Sequence, residues 1–240
     1  MNVKEFLLSG KHLNDLEQNH RSKDICEAAI KVHGGLELQF VPLPLRTVRL
    51  TRLACGNLPS AYRHAPAGVR ADYELATYAL RRGGMPVWER IPEHIIDRAL
   101  CLTAVKGSGV LLKVIPPKFK DLELCKTAVV RGGADPKDVP DIFKSDPQFW
   151  VGVALKHVPD EYKTHDICMA AVRKSGNYLQ YVPEDLRDVF MCKAALADTA
   201  WAYRFVPARH FNLPEVQQSY RVARESGSEN IIPELEKRTA

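Results

Sequence analysis

Residues 167–187 read ICMAAVRKSGNYLQYVPEDLR, and the pattern in this stretch decides the fold because it recurs along the chain. Its most regular feature is a β-branched or small residue followed by proline. That pair ends at Pro42, Pro66, Pro92, Pro116, Pro140, Pro159, Pro183 and Pro207. The intervals between these prolines are 24, 26, 24, 24, 19, 24 and 24 residues, so the chain is built from a repeated unit.

Other positions repeat in phase with the proline and indicate helices. In the quoted copy, Leu179 lies four residues before Pro183 with the polar Gln180 beside it, an alternation typical of a helical face. Five residues after the proline, most units place a residue type that caps helix N-termini. These residues are Thr47, Asp97, Asp121, Ser145, Thr164, Asp188 and Asn212, with Ala71 as the exception. Each unit is therefore predicted to start an α-helix at this position.

Glycine marks the predicted end of the same helix, because glycine just past a helix end adopts the left-handed conformation without steric cost. The glycines are Gly34, Gly84, Gly109, Gly133 and Gly176. One unit is thus predicted as a capped helix, a glycine stop, a short second helix and a proline-initiated turn. Such a unit cannot bury its apolar face alone. We predict an all-α fold, an αα-type solenoid of about eight degenerate 24-residue helical repeats.

The pattern also predicts how the chain is organised. Residues 1–20 carry only part of it and are predicted as an N-terminal partial or capping unit. Residues 21–211 form the predicted repeat array, with a shortened repeat at 141–159 where the interval falls to 19. Residues 212–240 are predicted as a C-terminal capping helix and partial repeat, because a terminal repeat needs a polar outer face.

Cysteine occurs mainly at one repeat position, four residues after the helix cap. The cysteines of this column are Cys26, Cys101, Cys125, Cys168 and Cys192. The sequence has no Cys-x-x-Cys pair, and neighbouring units are spaced too widely for disulfides. These cysteines are predicted to be buried, reduced and metal-free, with no cofactor, and Cys55 outside the column is predicted to be the most reactive.

Composition limits the class of protein. The 240 residues are 45% hydrophobic, and no apolar run approaches the roughly 18 residues that span a bilayer, so membrane insertion is not expected. The N-terminal sequence does not resemble a signal peptide. The predicted location is cytoplasmic, or the cytosol of a host if the protein is a secreted effector.

The string C-x-x-A-V-x-x-x-G-x-x-L-x-x-V-P-x-x-x-R resembles the short helical repeat known as domain of unknown function 4116, which occurs mainly in bacterial and protist proteins. Its closest copies run from Cys168 to Arg187 and from Cys26 to Pro42, and the resemblance covers nearly the whole chain. The resemblance implies a helical repeat scaffold similar to those of some host-directed bacterial proteins. It implies no general activity.

A cation recurs four residues after the proline and forms what we call the basic ladder. Its members are Arg46, Arg70, Lys120, Lys144, Lys163 and Arg187, with Arg21 at the equivalent place in the first unit. A row of cations suits an acidic partner or a phosphate backbone. The same cations would also complement the dipole at the end of each helical segment, and this structural interpretation is favoured.

The second candidate site is the segment 43–91, which holds eight arginines, no lysine and three acidic residues, a net of +5 that equals the formal charge of the whole chain. The arginines are Arg46, Arg49, Arg52, Arg63, Arg70, Arg81, Arg82 and Arg90. Arginine favours bidentate contacts with carboxylate or phosphate. A solvated arginine-rich face explains the same composition equally well.

No sequence motif predicts catalysis. His157, His165 and Asp166 match neither zinc nor nucleophile spacing, and the chain has no P-loop, serine elbow or dinucleotide fingerprint. We therefore expect no enzyme. The predicted function is a non-catalytic interaction module or scaffold whose arginine-rich segment binds an acidic protein surface. The alternative is a nucleic-acid-binding solenoid that uses the same segment.

Overall fold

A computed structural model of the chain describes residues 2–131 and 154–225. Over these ranges the backbone is mostly helical and contains no β-strand, which confirms the all-α prediction. Several predicted features lie outside the described residues: Gly133, Lys144, Ser145, most of the shortened repeat at 141–159, and residues 226–240.

The α-helices are numbered here in chain order over the described ranges. They are α1 (Val3–Ser9), α2 (Lys23–His33), α3 (Val48–Asn57), α4 (Ala67–Arg70), α5 (Tyr73–Gly83), α6 (Met85–Trp88), α7 (Arg98–Gly107), α8 (Leu122–Arg131), α9 (His165–Val172), α10 (Val189–Asp198) and α11 (Pro214–Glu225). None of these helices is long and apolar enough to cross a membrane.

The predicted cap column starts most of the longer helices. An oxygen of each cap side chain accepts a hydrogen bond from the backbone N–H three residues later, at Ser22, Thr47, Asp97, Asp121, Thr164 and Asp188. Alanine cannot accept such a bond, and in that unit Asp72 caps α5 one residue after Ala71. The prediction for Asn212 is wrong, because α11 begins at Pro214, a residue type whose fixed φ suits the first helical position.

Short 3-10 segments follow α2 and α9, where the sequence predicts a short second helix. After α2 these segments are Gly35–Phe40 and Leu43–Leu45, and after α9 they are Gly176–Tyr181 and Glu184–Leu186. Only about six residues separate the glycine from the proline, and 3-10 hydrogen bonds close a turn with fewer residues than α-helical ones. The first segment of each pair ends just before a Val-Pro pair, because the residue before a proline is disfavoured in the α conformation.

The column glycines serve two different purposes. Gly34 and Gly84 have φ of 98° and 56°, as expected of glycines that stop a helix. Gly109 and Gly176 do not have positive φ, so the left-handed prediction is wrong for them. A Cβ atom on Gly176 would lie 2.1 Å from the carbonyl oxygen of Ala195 in α10. Gly176 is therefore required by the close approach of the neighbouring helix.

Two compact units make up the chain, residues 1–107 and 108–240, and the division falls inside the predicted array. The core of the first unit includes Phe6, Leu13 and Ile25, which are at most 1% exposed. One carboxylate, that of Glu37, is buried beside this core. It accepts a hydrogen bond from the backbone N–H of Leu13 at 2.9 Å and contacts His12 Nδ1 at 2.7 Å.

All six cysteines are free and buried, which confirms the predicted burial of the cysteine column. The prediction that Cys55 is the most reactive is wrong, because its side chain is 0% exposed. Burial raises the pKa of Cys55 to about 12, and only the thiolate is nucleophilic. Cys55 lies eight residues after the cap Thr47, the position that Ile30 and Leu80 fill in the core of their own repeats.

Thr51 occupies the cysteine position of α3, and its hydroxyl is buried without a hydrogen-bond partner. Thr51→Val keeps the branched shape and removes the unpaired hydroxyl, so it should stabilise the protein by about 1 kcal/mol. Thermal unfolding followed by circular dichroism checks this. The matched control is Thr103→Val in α7, which should show no gain because the Thr103 hydroxyl already donates to the carbonyl of Ala99. A lower melting temperature for Thr51→Val would contradict the prediction.

Candidate functional site

Four of the predicted arginines lie on two neighbouring helices of the first unit. Arg49 and Arg52 lie on α3, Arg81 and Arg82 lie on α5, and all four side chains are exposed. The helices pack against each other through their apolar faces, so the arginines are left on the solvent side. We call these four residues the arginine face.

Two guanidinium groups of the arginine face lie against one tyrosine. The Cζ atom of Arg52 is 4.6 Å from the centre of the Tyr78 ring, and that of Arg82 is 5.5 Å from it. Arg82 also donates to the carbonyl of Gly56 at 3.1 Å. Cations near the face of an aromatic ring are attracted to its quadrupole. The Tyr78 ring thus keeps two positively charged guanidinium groups close together on the surface.

Arg49 has an acidic neighbour on α2. Its Nη2 lies 3.2 Å from Glu27 Oε1, and Lys31 Nζ lies 2.8 Å from the same oxygen. The hydrogen bond from Lys31, with the charges of Arg49 and Lys31, lowers the pKa of Glu27. Glu27 is shared between two cations, so it offsets only part of the charge of the arginine face.

Two other predicted arginines surround His64. Arg63 Nε donates to His64 Nε2 at 3.1 Å, and Arg46 donates to the His64 carbonyl at 2.8 Å. Burial of the ring lowers the pKa of His64, and the charges of Arg63 and Arg46 lower it further. In this contact Nε2 of His64 is the acceptor.

Two ladder arginines, Arg46 and Arg187, are bonded to backbone carbonyls. Arg46 donates to the carbonyls of Val41, Gln39 and His64 at 2.7 to 2.8 Å. In the second unit, Arg187 repeats this arrangement on three carbonyls. Its acceptors are Val182, Gln180 and Phe205. Both guanidinium groups are partly buried, so their donors are used by the backbone rather than presented to solvent.

Two further ladder cations follow the same rule. Arg21 donates to the carbonyls of Leu16 and Phe40. Lys120, with a single nitrogen, reaches only the carbonyl of His157, at 3.4 Å. In each case one acceptor is a backbone carbonyl of the next repeat that the structure describes. That carbonyl belongs to the residue two positions before the proline of the repeat.

The last two predicted arginines differ from each other. Arg70 is half-buried, its Nε has no hydrogen-bond partner, and its carbonyl accepts from the hydroxyl of Tyr62 at 2.6 Å. Arg90 follows α6 and is exposed. The structure therefore brings four of the eight arginines onto α3 and α5, places Arg70 at the end of α4, and leaves Arg46, Arg63 and Arg90 on 3-10 segments and turns.

The histidines considered in the sequence serve local contacts. His165 Nε2 lies 3.0 Å from Asp188 Oδ2, and not beside Asp166 in a shared site. Burial and the nearby charges of Lys120, Lys156 and Lys113 lower the pKa of His157. Within residues 2–131 and 154–225, no group of three or more His, Cys, Asp or Glu side chains is arranged to hold a metal ion.

The role of Tyr78 was not predicted from the sequence. The available signal was the spacing of Tyr78 and Arg82, since residues four apart on a helix are neighbours. The second guanidinium, from Arg52, comes from the preceding repeat and was not predictable from spacing within one helix.

Comparison with protein families gives one match. Residues 151–187 match the family described as domain of unknown function (DUF4116). This segment includes the whole repeat copy from Cys168 to Arg187. Searches of curated proteins and of solved structures found no match.

Proposed function

We propose that the chain is a solenoid of degenerate helical repeats that acts as a non-catalytic protein-interaction module. Its partner is a protein with an acidic surface, and its binding surface is the arginine face of Arg49, Arg52, Arg81 and Arg82. The observation that carries this proposal is the pair of guanidinium groups of Arg52 and Arg82 at the Tyr78 ring.

The solenoid part of the proposal is supported by contacts that recur with the sequence repeat. Arg46 bonds the carbonyl of a residue 18 positions later, and Arg187 does the same in the second unit. Each of these two bonds joins one repeat to the next one along the chain. In a solenoid, stability comes from contacts of this nearest-neighbour kind.

The charge of the arginine face supports an acidic partner. Arginine presents five donors in a planar group, which suits bidentate bonding to carboxylates. Stacking on Tyr78 fixes two of these groups before binding, so less side-chain freedom is lost when a partner docks. Arg46 and Arg70 are left out of the surface because both are partly buried. Arg63 is left out because it bonds His64.

The test reverses the four charges of the arginine face to glutamate. We expect the variant to keep its helical circular dichroism and to bind a fluorescent decaglutamate peptide at least about tenfold more weakly than the wild type, with a larger loss at low salt. Fluorescence anisotropy measured over a range of NaCl concentrations gives both quantities.

A matched control makes the same change in net charge elsewhere. The control residues Lys126, Arg173, Arg204 and Arg221 are exposed and lie in the second unit. Their reversal to glutamate should weaken peptide binding only by the salt-dependent amount that the change in net charge causes. Equal losses in the two variants would show that net charge, not the arginine face, drives binding. A duplex DNA that binds more tightly than the peptide, with a steep salt dependence, would favour the nucleic-acid alternative.

A further inference from the structure

Lys163 does not follow the bonding pattern of Arg46 and Arg187. At the same repeat position, Arg46 and Arg187 donate to the carbonyl two residues before the next proline. For Lys163 that carbonyl belongs to Tyr181, and within the described residues it accepts no hydrogen bond. The ammonium group of Lys163 instead lies 2.8 Å from Asp160 Oδ1, and its side chain is 13% exposed.

A cavity of about 660 Å³ lies at this place in the second unit. Its lining combines carboxylates with an apolar wall and the backbone around the Tyr181 carbonyl. The lining residues are Asp160, Lys163, Gln180, Tyr181, Val182, Pro183, Asp185 and Leu186. Two carboxylates against one ammonium give the lining a net negative charge, so it favours a cationic ligand over an anionic one.

We propose that this cavity binds the guanidinium group of an arginine side chain presented by a partner polypeptide. The rest of the chain shows the chemistry, because its ladder arginines already place a guanidinium group on the equivalent carbonyls. In the cavity, the bound group donates to the Tyr181 carbonyl and to the carboxylate of Asp185. The alkyl part of the arginine lies against the partly exposed Leu186.

The composition of the cavity selects arginine over lysine. Lys163 already neutralises Asp160, so the ligand must reach a carbonyl and a second carboxylate at once. A planar group with five donors can do this, whereas an ammonium acts as a point charge. A side chain within a polypeptide is favoured over free arginine, because the α-carboxylate of the free amino acid would approach Asp160 or Asp185. This site is separate from the arginine face and does not depend on it.

Isothermal titration with the peptide acetyl-Gly-Arg-Gly-amide tests the site on the full chain. We expect saturable binding of one peptide per chain, and at least about tenfold weaker binding of the citrulline peptide, which has the same shape without the charge. Free arginine should also bind more weakly. Equal heats for the arginine and citrulline peptides would overturn the proposal, and tighter binding of free arginine would overturn the polypeptide source.

Two substitutions test whether the peptide binds in this cavity. Lys163→Arg should supply an internal guanidinium to the Tyr181 carbonyl, raise the melting temperature and abolish peptide binding. Asp185→Asn should weaken peptide binding about fivefold or more, while Asp166→Asn, an exposed carboxylate on α9 outside the cavity, should not change it. Wild-type affinity in Lys163→Arg would show that the peptide binds elsewhere and would overturn the assignment. Because none of these residues belongs to the arginine face, loss of one site leaves the test of the other intact.

Discussion

Gly35→Ala and Gly176→Ala should each destabilise their unit by about 3 kcal/mol, because the added methyl group meets backbone that cannot move independently. On Gly176 the new Cβ would lie 2.1 Å from the carbonyl oxygen of Ala195. On Gly35 it would lie 2.4 Å from that of Ala54 and 2.8 Å from Leu58 Cβ. Relief requires a neighbouring helix to shift, which opens the packing between two repeats. We expect a fall in melting temperature of about 10 °C in each case.

Gly68→Ala is the matched control in the first unit. A Cβ on Gly68 meets nothing within 4 Å, and its φ is negative, so alanine fits there without strain. Gly68 is the second residue of the short helix α4, where this change should stabilise the protein by about 0.5 kcal/mol. Circular dichroism melts of the three variants give the comparison. If Gly35→Ala and Gly176→Ala melt with the wild type, the close approach of helix and glycine is not a packing constraint.

The features that the sequence predicts well depend on residues close together in the chain. Thr164 caps α9 by accepting a hydrogen bond from the backbone N–H of Ile167, three residues later. The residue type at position 164 is enough to predict this cap. The same is true of the burial of Cys168, since its position on the helix follows from the cap. The burial of Cys55 follows from the sequence in the same way, because Ile30 and Leu80 show that its repeat position is apolar.

The features that the sequence does not predict depend on contacts between repeats. Gly176 has the same residue type as Gly34, and the spacing is similar, yet one glycine provides a positive φ and the other a close contact with Ala195. The cation at Arg46 is evident in the repeat, but its acceptor at His64 lies in the following unit. The sequence therefore indicates where a ladder residue lies and not what it bonds.

The bonds of Arg46 predict the second large effect. Arg46→Met keeps the alkyl stem but removes three hydrogen bonds to the carbonyls of Val41, Gln39 and His64. Hydrogen bonds to charged groups contribute more than neutral ones, and carbonyls left unpaired add a desolvation cost. We expect a loss of about 3 kcal/mol, discounted for the partial exposure of the site. Arg187→Met should repeat the effect in the second unit, because its three acceptors are equivalent.

Arg46→Lys separates two explanations of the ladder. If the cation acts through the helix dipole, lysine carries the same charge and stability should be unchanged. If it acts through the carbonyls, one ammonium cannot replace a planar group that reaches three acceptors, and about half of the effect of methionine should appear. The ladder lysine Lys120 already shows this difference, since it reaches only the carbonyl of His157.

Chemical denaturation of Arg46→Met and Arg46→Lys measures their free energies of unfolding. The exposed Arg81→Met is the control for loss of a surface charge. If Arg46→Met is destabilised but Arg46→Lys is as stable as the wild type, the ladder cations stabilise the fold through the helix dipole. The missing carbonyl bond of Lys163 would then have no structural significance.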